Sequence, residues 1–177
     1  HFMSWVVAAS IFSMILSPTS AGLVNDVLMK LHLITDNIYF LGDQKWWRFS
    51  YYIINVWKDT GWGTIIFMAT LAGISPELYE AASMDGANRF QKMIYITLPA
   101  LNNTIVTVLV LNLAKVMNLF ESVFVLQNDA VIKVSDVLQT YIYTQTFNSG
   151  AIPDYGYTTA VGMFSSIISC ILVLVCN

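Results

Sequence analysis

Long stretches of this chain carry no Asp, Glu, Lys or Arg, among them the apolar runs His1–Asn25, Thr60–Pro76, Met93–Ala114 and Tyr155–Asn177. A helix needs about 20 mostly apolar residues to cross the hydrocarbon layer of a bilayer. A chain of 177 residues that meets or approaches this requirement several times has little polar sequence left with which to solvate a soluble domain. Its composition agrees, with 56% hydrophobic and 11% charged residues, where a soluble domain has about 25% charged. The expected class is an integral, all-helical membrane protein.

The runs predict four spans. The clearest covers residues 156–176. Met93–Ala114 contains Pro99, which suits a helix start and fits poorly inside one, so the span is expected over 99–120, across Lys115. The run Thr60–Pro76 is too short alone, but Phe49–Trp57 precedes it, broken only by Lys58 and Asp59. Joined, they give a span over 49–74. The first span, 2–16, is short. With His1 opening inside an apolar run, the chain reads as a fragment lacking one or more N-terminal spans and a C-terminal tail. No positively charged region precedes Phe2–Leu16, which argues against a signal peptide.

Charge and cysteines exclude other classes. Eight Lys+Arg against 11 Asp+Glu give a net charge of -3, whereas a nucleic-acid partner requires a basic face. Cys170 and Cys176 share one apolar run, a spacing that supports neither a disulfide framework nor a zinc site. His1 and His32 have no companions at ligand spacing. Residues 17–48 and 122–155 form polar connections; in the second, Ser135 is placed to cap an amphipathic surface helix, Asp136–Phe147. Lys and Arg are spread too evenly over the connections for the positive-inside rule to set orientation.

The connection from Ser75 to Pro99 is the most informative segment. Ser75 suits an N-cap, Pro76 the first helical position, and Glu77 the helix N-terminus. A short helix should follow and end at Asp85–Gly86, where Gly86 can take the left-handed backbone that closes a helix. A second short helix, about Asn88–Thr97, is expected at an angle to the span that begins at Pro99. Glu80, Asp85, Arg89 and Lys92 would then face water. They fit an ordinary solvated face, with Ala81 and Ala82 serving as good helix formers.

The register says more. Glu80-Ala81-Ala82, three residues, Gly86, nine residues, then Ile96-x-Leu98-Pro99 resembles the EAA loop of bacterial binding-protein-dependent ABC transporter permeases. Asp85–Gly86–Ala87 and Phe90 are further matches, typical of the sugar-importing branch. Ser4–Trp5–Val6–Val7, Leu16–Ser17–Pro18, Gly22–Leu23–Val24–Asn25 and Val134–Ser135–Asp136–Val137 with Thr140–Tyr141 are similar to maltose-type sugar and polysaccharide permeases. Glu121–Ser122 departs from the Asp–Gln common in that branch.

The resemblance implies a helical ABC importer transmembrane domain (the MetI-like permease fold), with about four of about six spans present. It implies a multi-pass protein of the bacterial plasma membrane, in contact with lipid. Its partners would be a second permease, two ATPase subunits and an extracytoplasmic solute-binding protein; its substrate would be an oligosaccharide or polysaccharide fragment. The EAA loop, 75–99, would face the cytoplasm and dock on the ATPase through Glu80, Ala81, Ala82, Asp85, Gly86 and Arg89. Loops 17–48 and 122–155 would face outward. ATP would be bound by the partner ATPase, since this sequence holds no G-x-x-x-x-G-K-[ST] loop, and no cofactor is expected in the chain itself.

Polar residues inside predicted spans point to a path. A charge near the bilayer centre costs about 2.5–3.5 kcal/mol on insertion scales and usually faces protein or water. Asn112, Lys115 and Asn118 recur about one turn apart; Asn55, Lys58, Asp59 and Trp62 follow helical spacing on the preceding span. Two such faces can line a sugar path, with Trp62 stacking on a ring and Asn55, Asp59, Asn112 and Lys115 bonding polar groups. By resemblance, sugar contacts fall at Asn55, Asp59, Trp62, Asn112, Val116 and Leu119, of which the last two cannot hydrogen-bond. Alternatively, Lys58–Asp59 is a local ion pair at a helix break and Lys115 bonds a backbone carbonyl. Gly162, Ser166 and Cys170 form a small-residue stripe suited to helix packing. Two rival classes remain: a stand-alone secondary transporter or channel, which leaves the EAA register unexplained, and a membrane-embedded enzyme, for which no catalytic pair is visible.

Overall fold

The computed structural model describes residues 2–19, 22–148 and 155–176, and among these it is entirely helical. The helices are α1 (Trp5–Ile15), α2 (Leu23–Lys30), α3 (Gln44–Ala72), α4 (Pro76–Met84), α5 (Arg89–Lys92), α6 (Leu98–Val116), α7 (Glu121–Leu126), α8 (Ile132–Ser135), α9 (Leu138–Phe147) and α10 (Tyr155–Cys176). A π-helical turn, Met93–Thr97, joins α5 to α6. Arg89–Val116 is therefore one continuous helix of 28 residues, and with Tyr155–Val175, of 21, it is long and apolar enough to cross a membrane. α1 is apolar but shorter; α3 has 29 residues and carries Lys45, Arg48, Lys58 and Asp59.

Packing is densest at the N-terminal end of α3. Trp47, Tyr51 and Ile54 meet Ala9 of α1, Leu41, Val123 and Leu126 of α7, and Val131 in one buried cluster. The Trp47 and Tyr51 rings stack with centroids 5.1 Å apart. Their polar ends are satisfied inside the cluster: Trp47 Nε1 donates to the Leu126 carbonyl at 3.0 Å, and the Tyr51 and Ser122 hydroxyls bond at 2.9 Å. Gln44 Nε2 donates to the Ala130 carbonyl, Arg48 Nε to that of Val134, and Asn128 Nδ2 to that of Leu41. Loops 17–48 and 122–148 are thus bound together at one end of α3. Loop 75–99 leaves the other end.

Asn25, fully buried, organises the first of these loops. Its Nδ2 donates to the carbonyls of Ser17 and Ile38, both at 2.9 Å, and its Oδ1 accepts from the Ile38 N–H at 3.0 Å. Towards the opposite end, α6 packs against α3 and α10, and Thr70 and Thr104 share a hydroxyl hydrogen bond of 2.9 Å. The outer faces of these helices are apolar and exposed, among them Ile65, Met68, Ile105, Leu109, Phe164, Ile167 and Leu174. An exposed apolar surface of this extent is expected of a protein solvated by lipid.

Several elements differ from expectation. The helix break at Lys58–Asp59 is absent, because α3 runs unbroken through it. Pro99 does not begin a new helix; the π turn before it carries the chain from α5 into α6 as one continuous helix. α6 stops at Val116, short of Phe120, so Asn118 lies beyond its end and bonds back to the Ala114 carbonyl.

Ser135 closes α8 instead of capping the next helix: its buried Oγ donates to the Val131 carbonyl. Thr140 Oγ1 instead accepts from the Val137 N–H at the start of α9. α9 has no single apolar stripe, since Gln139, Thr140, Gln145 and Thr146 alternate with Tyr141, Ile142, Tyr143 and Phe147 around it. It packs on α10, where the Tyr157 hydroxyl beside Tyr141 pushes the Tyr141 ionisation above the ordinary tyrosine value. On α10 the buried small residues are Thr158 and Ser165, whereas Ser166 and Cys170 face outward.

Candidate functional site: loop 75–99 and a polar cleft

Loop 75–99 folds as two helical pieces clamped around a turn. α4 ends in a Schellman arrangement: the Ala87 N–H bonds the Ala82 carbonyl at 2.9 Å and the Gly86 N–H bonds that of Ser83 at 3.1 Å. This closure needs a left-handed residue, and Gly86 has φ +74°. A side chain there would meet no neighbour, so backbone conformation and not space demands glycine. Asn88 then opens α5 with a capping box: its Oδ1 accepts from the Gln91 N–H, while Gln91 Oε1 accepts from the Asn88 N–H.

Side chains fasten the two pieces together. The Tyr79 hydroxyl bonds Thr97 Oγ1 at 2.9 Å. Lys92 Nζ donates to Ser83 Oγ, which itself donates to the Tyr79 carbonyl. The internal bonds hold α4 against the foot of the long helix and leave Glu80, Ala81, Asp85, Gly86 and Arg89 exposed, with Ala82 half-buried. Neither the Asn88–Gln91 box nor the Tyr79–Thr97 clamp is among the sequence expectations. The N-x-x-Q spacing could have revealed the first; the second joins residues too far apart in sequence to be read.

The π turn lies where the I-x-L-P part of the motif sits. The Leu98 N–H bonds the Met93 carbonyl, five residues back, immediately before Pro99, which has no N–H to give. Proline inside a helix also crowds the carbonyl four residues before it. The wider turn accommodates both effects, as π bulges commonly do at functional bends.

The second part of the site lies between α3 and α6. Asp59, Trp62, Gly63 and Ile66 from α3 face Val108, Leu111, Asn112 and Lys115 from α6 around a cavity of about 110 Å³. Asp59, Trp62, Asn112 and Lys115 are thereby brought together. No ion pair within 4 Å joins Asp59 to Lys115, or Asp59 to Lys58.

The remaining expected positions lie elsewhere. Asn55 is half-buried, and its Nδ2 donates to the Tyr51 carbonyl. Lys58 is buried, with Nζ 4.6 Å from the Trp5 ring centroid, a cation–π contact that turns it towards α1. Val116 ends α6, and Leu119 borders a different pocket with Trp47 and Val134. The Trp62 ring meets Phe2 edge-on at 6.1 Å. Among the described residues no group of three or more His, Cys, Asp or Glu could hold a metal ion.

Lipid-facing helices, a fastened loop between two of them and a polar cleft between the same two define a multi-pass membrane subunit of the permease type. Residues 2–176 match the family described as "Binding-protein-dependent transport system inner membrane component", and the chain belongs to that family. It is 41% identical over its whole length to Protein LplB and 38% to the polygalacturonan/rhamnogalacturonan transport system permease protein YteP, both of Bacillus subtilis (strain 168). The chain spans 54% of each of these relatives.

Among solved structures it superposes with a TM-score of 0.91 and 36% identity on a chain of a bacterial ABC transporter that imports the acidic polysaccharide alginate, covering all of this chain and 60% of that one. It matches equally well, at 35% identity, that transporter in complex with an alginate pentasaccharide-bound periplasmic protein. The fold is the all-helical MetI-like one of ABC importer transmembrane domains, and the chain is an inner-membrane component.

Proposed function

We propose that this chain forms much of the transmembrane permease subunit of an ATP-driven ABC importer for an oligosaccharide or polysaccharide fragment. Loop 75–99 couples it to a separate ATPase, with Glu80, Ala81, Ala82, Asp85, Gly86 and Arg89 as the docking residues. Helices α3, Arg89–Val116 and α10 serve as spans, and α1, of 11 residues, enters the bilayer beside them. Loop 75–99 faces the cytoplasm, and loops 17–48 and 122–155 the outside; the bonding of the two outer loops at one end of α3 supports this arrangement. The other partners are a second permease, a second ATPase subunit and an extracytoplasmic binding protein; for the last of these, the alginate transporter's complex with a periplasmic protein gives support.

One observation carries the reading: the helix that starts in the docking loop is the same helix that lines the polar cleft. Motion imposed at Arg89 reaches Asn112 and Lys115 through continuous backbone, so closure of an ATPase dimer can be transmitted as a rigid-body tilt. Asp59, Trp62, Asn112 and Lys115 line the path, with the indole offered to a sugar face and the polar groups to hydroxyls or carboxylates. A cavity of about 110 Å³ has room for only a few waters. Passage of a sugar therefore requires α3 and α6 to separate there.

The test is substrate-stimulated ATP hydrolysis by the full complex carrying Glu80→Lys. Stimulation should fall at least tenfold while ATPase-independent sugar binding to the binding protein persists. Normal stimulation would remove Glu80 from coupling.

A further inference from the structure

Within loop 75–99, between α4 and the foot of the long helix, lies a second cavity, of about 550 Å³, lined by Tyr79, Arg89, Phe90, Lys92, Met93 and Thr97. Two of its lining residues are cations, and none is acidic. Neither Arg89 nor Lys92 has a carboxylate within 4 Å among the described residues. Lys92 uses one donor on Ser83 Oγ, leaving ammonium hydrogens for another acceptor. The other walls are a methionine, a phenylalanine, a tyrosine and a threonine. The pocket thus combines uncompensated positive charge with apolar surface, a pairing that a small hydrated anion does not need.

Its position supplies the occupant. The cations stand in the first turn of the 28-residue apolar helix, where the helix dipole adds partial positive charge. The next turns expose Ile94, Tyr95 and Leu98, and tyrosine is a residue type enriched at membrane interfaces. We propose that this pocket binds the headgroup of an anionic phospholipid, its phosphate held by Arg89 and Lys92 and its glycerol and first methylenes resting on Phe90 and Met93. Basic pockets at the ends of membrane helices suit such headgroups. The inference needs only that the long helix enters a membrane here. Arg89 is shared between this pocket and the docking surface proposed above, whereas Lys92, Phe90 and Met93 belong to the pocket alone, so a failed coupling role for Glu80 leaves it standing.

The experiment uses the full permease assembled with its ATPase in phosphatidylcholine bilayers. A photoactivatable phosphatidylglycerol is compared with a photoactivatable phosphatidylcholine, and crosslinks are mapped by mass spectrometry. Phosphatidylglycerol should label peptides within residues 79–97 in preference to phosphatidylcholine. Labelling should fall about fivefold for each charge removed in Arg89→Gln and Lys92→Gln. Ser83→Ala, which removes the hydrogen bond to Lys92 but no charge, should leave labelling unchanged.

Equal labelling by the two lipids overturns the proposal, and does so with the unsubstituted protein whatever the variants' stability. Displacement of the label by inorganic phosphate overturns it in favour of a soluble-phosphate site. Labelling seen only after the ATPase is stripped away overturns it in favour of a protein-covered surface. Because the readout is lipid crosslinking, a failed coupling role for Glu80 would leave the result standing.

Discussion

Asn25 shows how much one side chain can organise. It is buried completely and makes three hydrogen bonds with backbone 8 and 13 residues away. Asn25→Ala would leave the Ser17 carbonyl and both Ile38 backbone groups without this partner, a cost of at least about 2 kcal/mol. The thermal inactivation temperature of the detergent-purified complex should drop accordingly. Asp26→Ala, which removes only the exposed Lys30 ion pair, should leave it within error.

Sequence patterning could not reveal Asn25's role, because its partners are backbone atoms of residues with no distinguishing chemistry. Gly86 was legible for the opposite reason. A helix that must stop at a fixed register calls for a residue able to take positive φ, and that requirement is local.

The element most altered by the structure is the joint between docking loop and membrane helix. Treating Pro99 as a helix start follows from its missing N–H, yet the same deficiency is met here by the wider turn Met93–Thr97. A proline's neighbours decide between these solutions, and they act through carbonyl geometry that spacing does not express. Pro99→Ala should let this turn relax to ordinary α geometry. Removing the extra residue of the bulge rotates everything before it by about 100° relative to α6. The expected outcome is an assembled complex whose substrate-stimulated ATP hydrolysis falls several-fold while basal hydrolysis persists, as enzyme assays on the variant would show. Unaltered stimulation would mean that the turn is only a packing accommodation.

The molecule as a whole divides into a tightly bonded end and a sparsely bonded one. Charge-free runs disclosed the long helices but not the short α2, α7 and α8 inside the polar connections. The spacing of polar residues pointed to Asp59, Trp62, Asn112 and Lys115, which share one cavity. What stayed hidden was direction: Lys58 and Asp59 are adjacent, yet one lies against Trp5 and the other faces α6. A tertiary contact sets that difference. At this scale the prediction concerns transport. Trp62→Ala combined with Asn112→Ala should lower sugar uptake by cells at least tenfold without reducing the amount of complex in the membrane. Asn55→Ala, outside the cleft, should have a smaller effect.

The Thr70–Thr104 hydrogen bond acquires a further meaning from where it falls. Thr104 lies between Arg89 and Lys115 on their shared helix, and closer to Lys115. A tilt about that contact makes the helix a lever with its longer arm on the docking side. From the helical rise per residue, the two arms differ in length by about a quarter. A displacement at Arg89 therefore arrives at Lys115 reversed in direction and reduced by about that fraction. An inward push at one membrane face thus becomes an outward swing near the other, the geometry by which a passage narrows at one mouth as it widens at the opposite one.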